Sequence, residues 1–238
     1  MFIKICGITD TEDALVAAGL GANAVGMIFA ASPRRVTSGV ASEIVRRLPP
    51  EVAAIGVFLD ESPHRVLEIA NTVGLSAVQI HGSGGPDEAR WLGERIPVLI
   101  RAFSVADPAL KRASDYGATR LLVDSATPGS GKSFDWTILD GAPFGRDFIL
   151  AGGLTPDNVR DAIRTARPWG VDVASGVESA PGRKDATKMR RFISAARQQG
   201  GELQGGLDTL KFGPMAIEVE TGSETPKPFN WEEDHIWP

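Results

Sequence analysis

The sequence predicts a single-domain (β/α)8 barrel of the α/β class with a C-terminal extension, and three observations predict it. Eight short aliphatic or β-branched runs recur within the first 198 residues. Each is followed by a helix-patterned stretch, looser after the sixth run than after the others. Eight such units in that length lie at the compact limit of a closed barrel. Near-continuous apolar runs are how buried parallel strands read, and their alternation with helices implies βαβ units. A doubly wound open sheet is the rival. It normally has fewer strands and a glycine-rich first turn, and the first turn here offers only Gly7.

The expected strands are Phe2–Cys6, Ala24–Phe29, Ala53–Phe58, Ser76–Ile80, Pro97–Ala102, Thr119–Val123, Asp147–Ala151 and Gly170–Ala174. Thr9-Asp-Thr-Glu12 has capping-box spacing ahead of the apolar positions of the first helix. Thr155-Pro156 offers an N-cap followed by proline at the first helical position. The last helix, about Asp185–Arg197, aligns Met189, Phe192, Ile193 and Ala196 on one stripe. Beyond it, Gln198-Gln-Gly-Gly reads as a linker. The division is therefore a barrel over residues 1–198 and an extension over 199–238. The extension mixes turn residues with an alternating piece, Met215–Glu220, and ends in Phe229, Trp231 and Trp237 among acids. Aromatics of that size usually pack, so they are expected to anchor the chain end on the barrel or on a second subunit.

Composition narrows the function. A hydrophobic fraction of 42% suits a globular chain. The formal charge of −5 argues against a nucleic-acid partner. One cysteine, Cys6, excludes an intramolecular disulfide and a multi-cysteine zinc site, and three scattered histidines make no metal cage, so no metal is expected. Residues Ala14–Pro33 carry no charge, but glycines and Asn23 interrupt them, so no membrane span is read there. Acids rather than bases precede that stretch, unlike a signal peptide, and a cytoplasmic location is expected. The charge is uneven. From Gln199 onward there are eight acids and two lysines, net −6, which leaves the barrel at +1.

A barrel of this kind places its active site at the C-terminal ends of the strands. Cys6 ends the first, as a possible base or nucleophile. Ser32-Pro-Arg34 follows the second, and its arginine suits a carboxylate or phosphate. Gln79 and His81 share one face at the end of the fourth. Asp124 ends the sixth directly after an apolar run, where desolvation raises a carboxyl pKa toward general-acid work. The next loop, Pro128-Gly-Ser-Gly-Lys132, is glycine-rich and basic, with Gly129 and Gly131 as candidates. Gly152-Gly153 after the seventh strand and Ser175-Gly176 after the eighth fall where such barrels often bind phosphate. For each, the plain structural alternative is a tight turn, a packed thiol or a solvated charge.

Taken together, Lys4-Ile-Cys-Gly-Ile-Thr9, Ser32-Pro-Arg34, Val78-Gln-Ile-His-Gly82, Gly129-Ser-Gly-Lys-Ser-Phe-Asp-Trp136, Leu150-Ala-Gly-Gly-Leu154, Asp172-Val-Ala-Ser-Gly-Val-Glu178 and Pro181-Gly-Arg-Lys-Asp185 resemble the phosphoribosylanthranilate isomerases. The matches run in order from Ile3 to about Ala196. The resemblance implies an enzyme of tryptophan biosynthesis that performs an Amadori rearrangement without a cofactor. It also implies that Cys6 is the general base, Asp124 the general acid and Arg34 the partner of the anthranilate carboxylate. Gly152, Gly153, Ser175 and Gly176 would then fall in the phosphate loops. The expected partner is a small-molecule phosphosugar substrate, and the expected state is monomer or homodimer. Two alternatives stand beside this: a related phosphosugar isomerase of histidine biosynthesis, which uses an aspartate where Cys6 stands, and an inactive barrel acting as a binding scaffold. The sequence departs from the family pattern at Pro128-Gly-Ser-Gly, where Gly-Gly-Thr-Gly is usual, and in the extension.

Overall fold

Successive residues of a strand face opposite sides of the sheet. In a closed barrel those sides are the interior and the helix layer. The computed structural model describes residues 1–125, 133–139, 142, 145 and 147–204. Its eight parallel strands are β1 (Phe2–Cys6), β2 (Ala24–Ile28), β3 (Ala53–Leu59), β4 (Ala77–His81), β5 (Leu99–Ser104), β6 (Arg120–Asp124), β7 (Phe148–Leu150) and β8 (Gly170–Val173). Each pairs with its sequence neighbour, and β8 pairs with β1 in the register Lys4↔Asp172, so the sheet closes and the open-sheet alternative falls.

Period two divides the core. The outward set includes Ile3, Ile5, Val25, Met27, Val78 and Val171, all fully buried against the helices. The inward set starts with Ala24, Ile55, Ala77, Ile100, Leu122 and Ile149, which pack the interior. Phe2 stacks on Trp169 at 4.7 Å at the end of the barrel where the strands begin. Toward the strand ends the same face changes character. Lys4, Cys6, Gln79, Asp124 and Asp172 continue it.

Around the sheet lie α1 (Thr11–Gly19), α2 (Ser38–Arg47), α3 (Pro63–Val73), α4 (Pro86–Gly93), α5 (Val159–Ala166) and α6 (Ala186–Gln204). The connection after β6 is loose, as expected: among its described residues only a short 3-10 turn forms, Trp136–Leu139. The connection after β5 is loose as well. Pro108–Tyr116 is 3-10 and is broken at Arg112, where φ is −119° and ψ 29°.

Three local expectations need correction. Asp10, not Thr9, caps α1 by accepting the Asp13 N–H at 2.8 Å. Thr9 is drawn away because its hydroxyl donates to the Gly182 carbonyl at 2.6 Å. Thr155 does not start α5. Its hydroxyl oxygen accepts from the N–H groups of Asp157 and Asn158 in a preceding turn, and α5 begins at Val159. The linker-like Gln198-Gln-Gly-Gly is helical, within an α6 that reaches Gln204. Gly200 is buried there, and a Cβ on it would stand 2.4 Å from Met1 Cβ. Close packing on the chain start thus explains a glycine at position 200, whereas Gly201 is exposed, with nothing among the described residues near the place of a Cβ. The extension from residue 205 and the candidates Gly129 and Gly131 lie outside the described residues.

Candidate active site

A cleft of about 170 Å³ opens at the C-terminal mouth of the barrel. It gathers residues far apart in the chain: Cys6, Arg34, Gln79, His81 and Asp124 line it, with Gly152, Gly153 and Ser175 on one side. Gly176 lies behind that side. A Cβ on it would sit 1.9 Å from the Leu154 carbonyl oxygen, so only glycine lets the loops after β7 and β8 meet. Gly152 and Gly153 have φ of +89° and +66°, which glycine alone adopts without strain. A Cβ on Gly152 would also stand 2.9 Å from Asp124 Oδ1. The glycine turn therefore serves the carboxylate as much as the loop.

Burial sets the charge states. Asp124 accepts the Ser125 N–H on Oδ1 at 2.7 Å. Desolvation nevertheless pushes its pKa up from 3.8 to about 6, with the Asp172 charge adding to the rise. At pH 7 about a tenth of it is protonated. The thiol of Cys6 is also pushed up, by burial first, while the Lys4 charge pulls it back. At neutral pH Cys6 is thus held as a thiol. His81 Nε2 lies 2.6 Å from Gln79 Nε2. Its pKa falls to about 4, from burial first and then from the charges of Lys4 and Arg101, so the imidazole is neutral at pH 7.

Arg34 is already engaged. Its Nε and Nη2 donate to Glu178 Oε1 and Oε2 at 2.7 and 2.8 Å. Glu178 takes a further bond from Lys184 Nζ at 2.9 Å. Burial alone would raise the Glu178 carboxyl, but these two cations hold it below its ordinary range. The Arg34 stem crosses Gly7, where a Cβ would stand 2.6 Å from Arg34 Cδ. A guanidinium has five N–H donors. Two are spent on Glu178, which fixes the plane and leaves three for an anion.

Lys4, Asp172, Glu178 and Lys184 were not singled out as site residues from the sequence. For Lys4 and Asp172 the signal was nonetheless present, since a charge within an apolar strand such as Phe2–Cys6 or Gly170–Val173 rarely stands there for packing alone, whereas Glu178 and Lys184 lie in short strands outside the barrel.

Comparison with known proteins follows the same boundaries. A family model described as N-(5'-phosphoribosyl)anthranilate (PRA) isomerase matches residues 3–195. An N-(5'-phosphoribosyl)anthranilate isomerase of Desulforudis audaxviator is 45% identical over 203 residues, which is 82% of this chain and 98% of that protein. The structure of a phosphoribosyl anthranilate isomerase from Thermus thermophilus matches with a TM-score of 0.78 and 39% identity, over 83% of this chain and 99% of that one. Another isomerase structure holds reduced 1-(o-carboxyphenylamino)-1-deoxyribulose 5-phosphate. It matches with a TM-score of 0.74 and 40% identity, over the same shares. The matched span is the barrel and its cleft, and the chain belongs to the N-(5'-phosphoribosyl)anthranilate isomerase family.

Proposed function

We propose that the chain converts N-(5-phosphoribosyl)anthranilate to 1-(2-carboxyphenylamino)-1-deoxyribulose 5-phosphate, the isomerisation of tryptophan biosynthesis, with Asp124 as acid and Cys6 as base. One observation carries the assignment of roles. A carboxyl raised to about 6 and a thiol face one cleft from β6 and β1, with an arginine and two glycine-rich loops around them. In its neutral form Asp124 donates a proton to the ribose ring oxygen, and the ring opens to a Schiff-base cation. The Cys6 sulfur then takes the proton from C2, and the enolamine so formed tautomerises to the ketone. The three remaining donors of Arg34 suit the anthranilate carboxylate. The N–H groups at Gly153, Ser175 and Gly176 suit the phosphate, since the first N–H groups of a turn lack acceptors within it. Held at both ends, the sugar is oriented between acid and base. Neutral His81, bonded to Gln79, is available to hydrogen-bond the substrate rather than to carry charge.

The cytoplasm is the compartment that supports this role. Among the described residues no helix is long and apolar enough to cross a membrane. Complementation of a tryptophan auxotroph lacking this isomerase is the direct test, with growth expected. Each of Cys6→Ala and Asp124→Asn should lower kcat by about 10²–10⁴-fold. Arg34→Ala should act mainly on KM. Wild-type turnover in both acid–base variants would overturn the roles assigned to them.

A further inference from the structure

The barrel interior holds a charged pair that the acid–base scheme leaves idle. Lys4 is fully buried and donates from Nζ to Asp172 Oδ2 at 3.0 Å. The two residues are register partners across the seam where β8 closes on β1. Their neighbours on the inward face are alanine, isoleucine and leucine. Replacing a buried ion pair by apolar residues of like volume is often neutral or stabilising. Stability alone therefore gives no reason for this pair.

Its position gives one. Lys4 precedes Cys6 by two residues, so both side chains point inward. Across from Cys6 in the register stands Gly26. A Cβ on Gly26 would lie 2.8 Å from Cys6 Sγ and 3.0 Å from Lys4 Nζ. Sulfur and ammonium thus share the space over one glycine, and any larger residue there would push into both. Resting on the reading of Cys6 as the base, we propose that Lys4 is a positioning residue that supplies the counter-charge for the Cys6 thiolate, anchored beside the sulfur by Asp172.

The other charges near Cys6 do not fill this role as well. Arg34, from the loop after β2, and Lys184, from the strand Arg183–Lys184, are both hydrogen-bonded to the Glu178 carboxylate, which holds them there rather than on the sulfur. Asp172 on β8 opposes the thiolate. Asp124 on β6 and neutral His81 on β4 line the same cleft without adding positive charge. Lys4 outranks each of them in drawing the thiol down. Burial pulls the Lys4 ammonium down in turn, but Asp172 and the sulfur raise it above its ordinary value, so it keeps its proton and does not compete as a base.

The chain has one cysteine, so the ultraviolet absorbance of a thiolate reports Cys6 alone, with Cys6→Ala as the blank. In Lys4→Met the titration midpoint should rise by about one pH unit or more, and kcat should fall about tenfold per unit with KM little changed. Lys4→Met with Asp172→Asn leaves no lone buried carboxylate, and should move the midpoint the same way if the single variant does not fold. A folded variant whose midpoint is unmoved or lower overturns the proposal, even if kcat falls, since a structural role alone would cost activity without moving the titration. Wild-type turnover in Cys6→Ala would instead remove Cys6 as base, and the titration would still decide what Lys4 does to the sulfur.

Discussion

At Asp124 the same burial serves the chemistry and works against the fold. The folded state keeps a proton on this carboxyl up to pH about 6, while the unfolded chain releases it near 3.8. Stability from this group is therefore full below pH 3.8 and is lost as pH rises through 6. At neutral pH the loss amounts to at most about 3 kcal/mol. Asp124→Asn should accordingly raise Tm at pH 7 while it lowers kcat, and the gain should vanish near pH 3. A thermal melt at the two pH values checks it. The cleft also sets a pH profile. The resting pair is Asp124 carboxylate with Cys6 thiol, whereas the reaction needs the reverse. The fraction in the reactive form stays constant between the two pKa values, because one protonation falls as the other ionisation rises. kcat/KM should therefore rise to pH about 6, run flat, and fall only above the ordinary thiol value of 9.0. A narrow optimum near neutrality would contradict this. At this scale the sequence showed which residue types stood at the strand ends. It did not show that Glu178 holds Arg34 or that Lys4 meets Cys6, because those pairings join residues 144 apart in the chain or stacked along one inward face.

Elements were legible to the extent that local signals alone decide them. All eight strands lie within two residues of the expected positions, since each is an apolar run bounded by turns. Cap positions were less so. Thr9 and Asp10 are both good caps, and only the distant Gly182 carbonyl decides between them by taking the Thr9 hydroxyl. The end of α6 was misread for a similar reason: Gly200 is a helix breaker by propensity, and its contact with Met1 cannot be seen locally. At the loops after β7 and β8 the element itself can be tested. Gly176→Ala must push the Leu154 carbonyl aside, which splays the two loops apart. KM should rise more than kcat falls, and inorganic phosphate should lose its competition with substrate. An unchanged KM would remove this contact from the phosphate site.

The molecule as a whole divides by charge. Residues 1–204, through the end of α6, are neutral, and residues 205–238 carry −5. Every residue given a role above lies between Lys4 and Lys184, within the span matched by the family. Removing residues 205–238, which leaves α6 whole, should therefore keep kcat/KM unchanged. If the aromatic chain end anchors on the barrel or on a second subunit, the same deletion lowers Tm or changes the oligomeric mass. Calorimetry and light scattering would read these out, and no change in either would make the extension a passive one. By itself the sequence determined the (β/α)8 architecture, the family and the strand ends that carry the chemistry. Hydrophobic period and turn chemistry are local, and a barrel converts strand ends into one mouth whatever the side chains there. Only the tertiary structure decided the charge states and the pairings: the carboxyl raised at Asp124, the thiol held at Cys6, Arg34 clamped by Glu178, and Lys4 set beside the sulfur. Those depend on desolvation and on contacts closed across the barrel, which form only when β8 meets β1.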